Sequence, residues 1–306
     1  MIRNCNNETI NIEINKSKIL DIKNKIDSIE NINPPVKIVN VKINSKNIHV
    51  IQDGYLFAGT KQRVAEIFAE KAIAEEKKTT GNQIKTIIYT GTWNGFGAVA
   101  TAFAAYRLGL QSNVYLSSIA SGKTEASSIE HMLEKKQLNT LLALNANIYI
   151  CDTYRAAKML SYEGPNGMDN NKDQFAIPMG LNDEKSLMTK ILAKQIKIAI
   201  KGSLIEKTEN PRIWMVAGSG GILESVNRAI NNCKIFVYLT GGGKYIRRVK
   251  KYIKKNQNIV IINEHVKLDH SDNEYYNTVK RYDDMILSYI ERYGKEGDFI
   301  WNVAGE

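Results

Sequence analysis

The stretch Asp53-Gly54-Tyr55-Leu56-Phe57-Ala58-Gly59-Thr60-Lys61-Gln62-Arg63 marks a change in the character of the chain. Before it, Ile10 to Ile14 and Val36 to Val50 beyond Pro34-Pro35 alternate or run β-branched, and read as strands and extended arms. Asp53-Gly54 is a turn signal. After it, Val64, Ile67, Phe68, Lys71 and Ala72 recur at three- and four-residue spacing, which predicts a helix. Lys61 therefore stands just past a Gly-Thr turn, at the mouth of that helix. The helix dipole disfavours a cation there. A lysine held neutral is a Schiff-base former. A solvated first-turn lysine is the plainer reading of the same residue.

Outward from this point, strand and helix patterns alternate. Thr86 to Tyr89, Asn113 to Leu116, Asn147 to Cys151, Ile213 to Ala217, Ile235 to Leu239, Ile259 to Ile262 and Phe299 to Val303 read as strands. Ala98 to Leu108, Glu125 to Leu142, Thr153 to Ser161, Asp183 to Lys201 and Tyr276 to Tyr293 read as helices, with Gly109 closing the first. Such alternation predicts an α/β fold with mostly parallel sheets. The Gly-, Pro- and Asn-rich stretch 163–174 predicts two three-layer α/β/α domains. Residues 86–162 would form a small insert in a larger domain made of 1–85 plus 163–306, with a ligand cleft between them.

Two glycine-rich turns follow predicted strands. Trp214-Met215-Val216-Ala217-Gly218-Ser219-Gly220-Gly221 runs from strand to helix, where free backbone N–H groups suit a phosphate. It lacks the ending of a Walker A loop. Thr90-Gly91-Thr92-Trp93-Asn94-Gly95-Phe96-Gly97 leads into an alanine-rich helix and suits a carboxylate; a close-packing turn explains it equally well.

Composition narrows the classes. Of 306 residues, 43% are hydrophobic and 24% charged, as in an ordinary globular protein with a real core. The longest apolar runs fall far short of the ~18–20 residues of a spanning helix, and the N-terminus lacks a signal-peptide core. No membrane role and a cytoplasmic location are the expectations. Cys5, Cys151 and Cys233 are sparse and lie outside any ligand spacing, so neither a metal site nor a disulfide framework is expected. His49, His131, His265 and His270 are isolated. The net charge of +10, in a chain rich in Lys, Asn and Ile, reads as a basic surface rather than a nucleic-acid footprint. Lys244 to Lys255 reads as an amphipathic helix with a solvated basic face.

The ordered set of motifs resembles a known family. Gly59-Thr60-Lys61-Gln62-Arg63 is similar to the cofactor-lysine motif of fold-type II (tryptophan synthase β-like) pyridoxal-phosphate (PLP) enzymes, nearest the D-cysteine desulfhydrase and aminocyclopropane-carboxylate deaminase branch. Gly91 to Leu110 resembles the substrate-carboxylate loop and its helix, and Gly218 to Gly221 the phosphate loop. Arg281-Tyr282-Asp283-Asp284 resembles the late motif beside the pyridine ring, and Phe299 to Gly305 the closing strand. The resemblance runs from about Asp53 onward.

It implies PLP as cofactor, with Lys61 and Tyr282 catalytic. Cofactor contacts would come from Lys61, Asn94, Gly218, Ser219, Gly220, Gly221 and Asp283, and substrate contacts from Thr92, Trp93, Asn94 and Gly95. The activity implied is elimination or deamination on a small amino acid. A carboxylate at Asp283 would keep the ring nitrogen protonated and tilt this toward deamination, ring opening or racemisation, whereas a hydroxyl there would favour simple β-elimination. β-Replacement is the alternative. A homodimer is implied as well. The family's serine and asparagine positions carry Gly95 and Phe96 here, with Asn94 two residues early, so a catalytically altered or polyanion-binding protein on the same fold is a further alternative.

Overall fold

The computed structural model describes residues 2–4, 8–10, 14–92, 95–117, 136–163, 172–177, 187–240, 243–263, 275–276 and 283–303. The chain divides into two compact units: Met1–Ile32 with Val64–Asp183, and Asn33–Arg63 with Glu184–Glu306. The first unit takes in the expected insert of 86–162. It also takes in residues 1–32, 64–85 and 163–183, of which Ile2–Asn4 and Gln174–Ile177 add strands to its sheet.

In the first unit, strands β1 (Ile2–Asn4), β4 (Thr86–Thr92), β5 (Gln111–Ser117), β6 (Asn147–Cys151) and β7 (Gln174–Ile177) form a parallel sheet in the order β1-β6-β5-β4-β7. Side chains alternate between its faces. Ile88, Tyr115, Tyr149 and Cys151 pack on one face against Ala157 of the helix Tyr154–Glu163. The helix α3 (Phe96–Arg107) lies against β4 and β5, and ten of its residues are buried, as its small side chains allow.

The helix α1 (Lys16–Asp27) was not legible as periodicity, since Ile26 is its one buried residue. It is set by its start, where Asn15 caps the Lys18 N–H. β7 was also missed, because four residues without alternation carry no strand signal. The helix expected over 125–142 is seen from Lys136 to Ala143, and residues 118–135 lie outside the described chain.

In the second unit, β2 (Ile38–Ile43), β3 (Lys46–Gln52), β8 (Arg212–Ala217), β9 (Lys234–Leu239), β10 (Ile259–Ile261) and β11 (Phe299–Asn302) form a sheet in the order β10-β9-β8-β11-β3-β2. All neighbours are parallel except the β2–β3 hairpin. That hairpin turns through Asn44 and Ser45, both at positive φ, as a two-residue primed turn requires. One core face joins Ile48, Val50, Trp214, Val216 and Ile300 to Ile286, Leu287 and Ile290. The last three belong to a 3-10 turn (Asp283–Ile286) and a helix (Leu287–Tyr293); a helix was expected over 276–293, of which 277–282 lie outside the described residues. The helices Leu187–Ala199 and Gly221–Ala229 pack together, and the second of them also meets β8. Among the described residues, no helix is long and apolar enough to cross a membrane.

Candidate active site

The residues of interest fall into both units. In the second unit, Lys61 ends a 3-10 turn, Gly59–Lys61, that runs straight into the helix α2 (Gln62–Thr80). The Thr60 N–H donates to the Val303 carbonyl at 2.9 Å, and Trp301 Nε1 donates to Thr60 Oγ1 at 3.1 Å. These bonds tie the lysine turn to the carboxyl end of β11. The glycine turn Gly218–Gly220 leaves the carboxyl end of β8, the neighbour of β11. β11 and β8 pair in parallel at Phe299–Ile213 and Ile300–Trp214, so the two turns leave the carboxyl ends of neighbouring strands, on the same edge of the sheet. This carboxyl edge is where open α/β sheets bind ligands.

The glycine turn is shaped as a cradle. Gly220 is left-handed, at φ +85°, and precedes the helix Gly221–Ala229. A Cβ on Gly220 would stand 2.6 Å from Val249 Cγ2, and one on Gly221 would stand 2.6 Å from Met188 Cε. As N-cap, Gly220 brings no side chain to the first-turn N–H groups, which leaves the helix end suited to an anion. Asp283 opens the 3-10 turn that packs on β8, and its neighbour Asp284 is buried. Tyr282 lies outside the described residues.

Lys61 keeps part of its surface, yet burial lowers its amine from 10.5 to about 8. Desolvation is the cause: among the described residues, no hydrogen bond or ion pair reaches its Nζ. Such an amine is neutral in roughly a tenth of the molecules near pH 7, a few hundredfold more than for a solvated lysine, which favours carbonyl trapping. A neutral-capable amine and an uncapped, glycine-lined helix end on one sheet edge form a donor set that fits a phosphorylated aldehyde.

In the first unit, Thr92 ends β4 and Gly95 precedes α3, with its N–H donating to the Thr92 carbonyl at 3.1 Å. Trp93 and Asn94 lie outside the described residues. Phe96 is buried as the first residue of α3. Sequence reading missed Tyr89. Its ring is buried and lies over this turn, where a Cβ on Gly97 would overlap the phenol oxygen and one on Gly91 would stand 2.6 Å from Cε1. The turn is glycine-rich because Tyr89 fills it. Gly97→Ala is expected to lower stability by about 1–3 kcal/mol through overpacking. In a Tyr89→Ala background the penalty should vanish, and equal losses in both backgrounds, read by urea unfolding, would place the ring elsewhere.

No protein-family model matches the sequence, and no curated protein does. Solved structures do resemble the chain. An "ACC deaminase homologue" superposes with a TM-score of 0.58 at 16% identity, covering 94% of each chain. Apo diaminopropionate ammonia lyase from Escherichia coli gives 0.53 at 11%, covering 95% of this chain and 88% of its own. Serine racemase from Dictyostelium discoideum gives 0.52 at 12%, covering 96% and 98%. The chain has the tryptophan synthase β-like fold of fold-type II PLP enzymes.

Proposed function

We propose that the chain is a PLP-dependent enzyme that removes a proton from a small amino acid and completes an elimination or deamination. The observation that carries this reading is Lys61, whose desolvated amine stands at the same sheet edge as the glycine cradle. The similarity to an ACC deaminase homologue, an ammonia lyase and a racemase supports the amino-acid substrate class. When bound, the cofactor supplies an electron sink for a carbanion at Cα.

Lys61 would hold the cofactor, and its neutral Nζ would act as the general base at Cα or the β position. The N–H groups of Gly218, Ser219, Gly220 and Gly221 bind the phosphate. Asp283 would be the carboxylate that keeps the ring nitrogen protonated. By the resemblance, Thr92, Trp93, Asn94 and Gly95 would serve the substrate carboxylate, Asn94 would also serve the cofactor, and Tyr282 would assist catalysis. The protein works as a cytoplasmic homodimer.

A second reading is favoured by Gly95 and the buried Phe96, which leave those two positions without a polar side chain: a cofactor-loaded protein without turnover.

The deciding experiment adds PLP to the purified chain, records the visible spectrum, reduces with borohydride and maps the adduct. A reducible band mapped to Lys61 and lost in Lys61→Ala is expected. No adduct under excess PLP would sink the reading. An adduct that stays inert toward D- and L-amino acids would select the second one.

A further inference from the structure

The segment that presents Lys61 is closed at its neck. Asp53 is the first residue after β3, and Arg63 is the second of α2. Both side chains are fully buried, and they meet in a two-pronged ion pair. Arg63 Nη2 donates to Asp53 Oδ1 at 2.6 Å, and Nε donates to both carboxylate oxygens at 3.1 Å. Nη1 donates to Asn33 Oδ1 at 2.8 Å and to the Pro34 carbonyl at 2.6 Å. Asn33 in turn donates to the carbonyl and the side chain of Gln195.

Within the loop, the Leu56 N–H bonds to Asp53, the Gly59 N–H to Leu56, and the Phe57 N–H to Gln62 Oε1. Residues 60, 62 and 63, on either side of Lys61, are thus each held by side-chain bonds. A buried ion pair is a poor source of net stability compared with apolar packing. What the Arg–carboxylate fork adds is a fixed geometry.

We propose that the Asp53–Arg63 pair is the positioning device of Lys61. By closing the neck of the loop it lets the backbone, rather than any bond to the amine, set where Nζ stands. It has a second, electrostatic effect. A bare guanidinium two residues from Lys61 would press on the amine's charged form, and Asp53 cancels that charge. Geometry and charge therefore separate by variant. Arg63→Lys keeps the cation but loses the fork, so the loop loosens and the amine regains water. Asp53→Asn keeps much of the shape but leaves the guanidinium uncompensated.

The proposal rests on Lys61 as the cofactor lysine, and its deciding readout needs no cofactor. The amine of Lys61 is titrated in the full chain by competitive acetylation, quantified on the Lys61 peptide. The wild-type midpoint is expected near 8. It should rise by about one unit or more in Arg63→Lys and fall by about one unit in Asp53→Asn. The rate of borohydride trapping with PLP should drop about tenfold to a hundredfold in Arg63→Lys.

Shifts of the same sign, or no shift in either variant, would overturn the proposal; a merely structural pair predicts no opposition. Amide exchange in the wild type guards against variants that do not fold. Phe57, Gly59 and Thr60 should exchange as slowly as β3. Exchange by local opening far faster than β3 would refute the clamp without any substitution. A wild type that titrates and exchanges as stated, yet forms no adduct with PLP, would leave the clamp standing and remove only the cofactor reading.

Discussion

Asp53→Ala is expected to lower the stability of the second unit by about 3–5 kcal/mol, because it strands the Arg63 guanidinium in a dry site. Arg63 and Asp53 are both 0% exposed, so water cannot replace the lost partner without opening the loop. The loss should come from the stranded charge rather than from any large net worth of the pair. Replacing both partners, Asp53→Leu with Arg63→Met, should therefore recover most of the stability. Urea unfolding followed by tryptophan fluorescence suits the measurement, since Trp214 and Trp301 are both buried in this unit. A loss below about 1 kcal/mol in Asp53→Ala would mean that the pair is solvated.

Gly220→Ala should cost about 3 kcal/mol, from two sources that can be separated. The left-handed backbone at φ +85° carries about 1–2 kcal/mol for any residue with a Cβ. The new methyl would also stand 2.6 Å from Val249 Cγ2, an overpacking worth about 1–3 kcal/mol. Val249→Ala should relieve the second part and leave the first. The same substitution should weaken binding of PLP and of inorganic phosphate together, because the turn that presents the first N–H groups of the helix Gly221–Ala229 would be reshaped. Unchanged phosphate affinity in a folded Gly220→Ala protein would remove this turn from the anion site.

The parts of the fold that bury a continuous apolar run were legible in the sequence. β8, read from Ile213 to Ala217, and β9, read from Ile235 to Leu239, each lie within one residue of their structural bounds. The Gly218–Gly221 turn could be placed because it sits between such a strand and an amphipathic helix. What escaped was marked by single polar contacts. α1 is set by Asn15 accepting one N–H, and asparagine is too common in this chain to stand out.

Within the site, Lys61 was visible through its motif, but its clamp was not. Asp53 and Arg63 stand at the two ends of that motif with nothing in the sequence to pair them, since charges ten residues apart have no helical or strand period. Tyr89 was invisible for another reason: its ring acts on Gly91 and Gly97, and a glycine reports that space is filled without saying by what.

The order of strands in the second sheet bears on how the chain reaches this fold. β11 lies between β3 and β8, and Phe299 pairs with His49, 250 positions earlier (299 − 49). The β2–β3 hairpin is the most local of the sheet's pairings, and a hairpin of this kind forms in about 1–10 μs. Until residues 299–302 arrive, the sheet exists as two halves, and the edge of β3 that will receive β11 has no partner. Thr60 likewise lacks Val303 and Trp301, its two anchors. Loop closure over such a distance is the slow step of non-local β topologies, and an unpaired strand edge is where aggregation begins. The element that presents Lys61 is thus among the first to be made and among the last to be locked. During that interval the half-built sheet is the species a folding chaperone would have to shield.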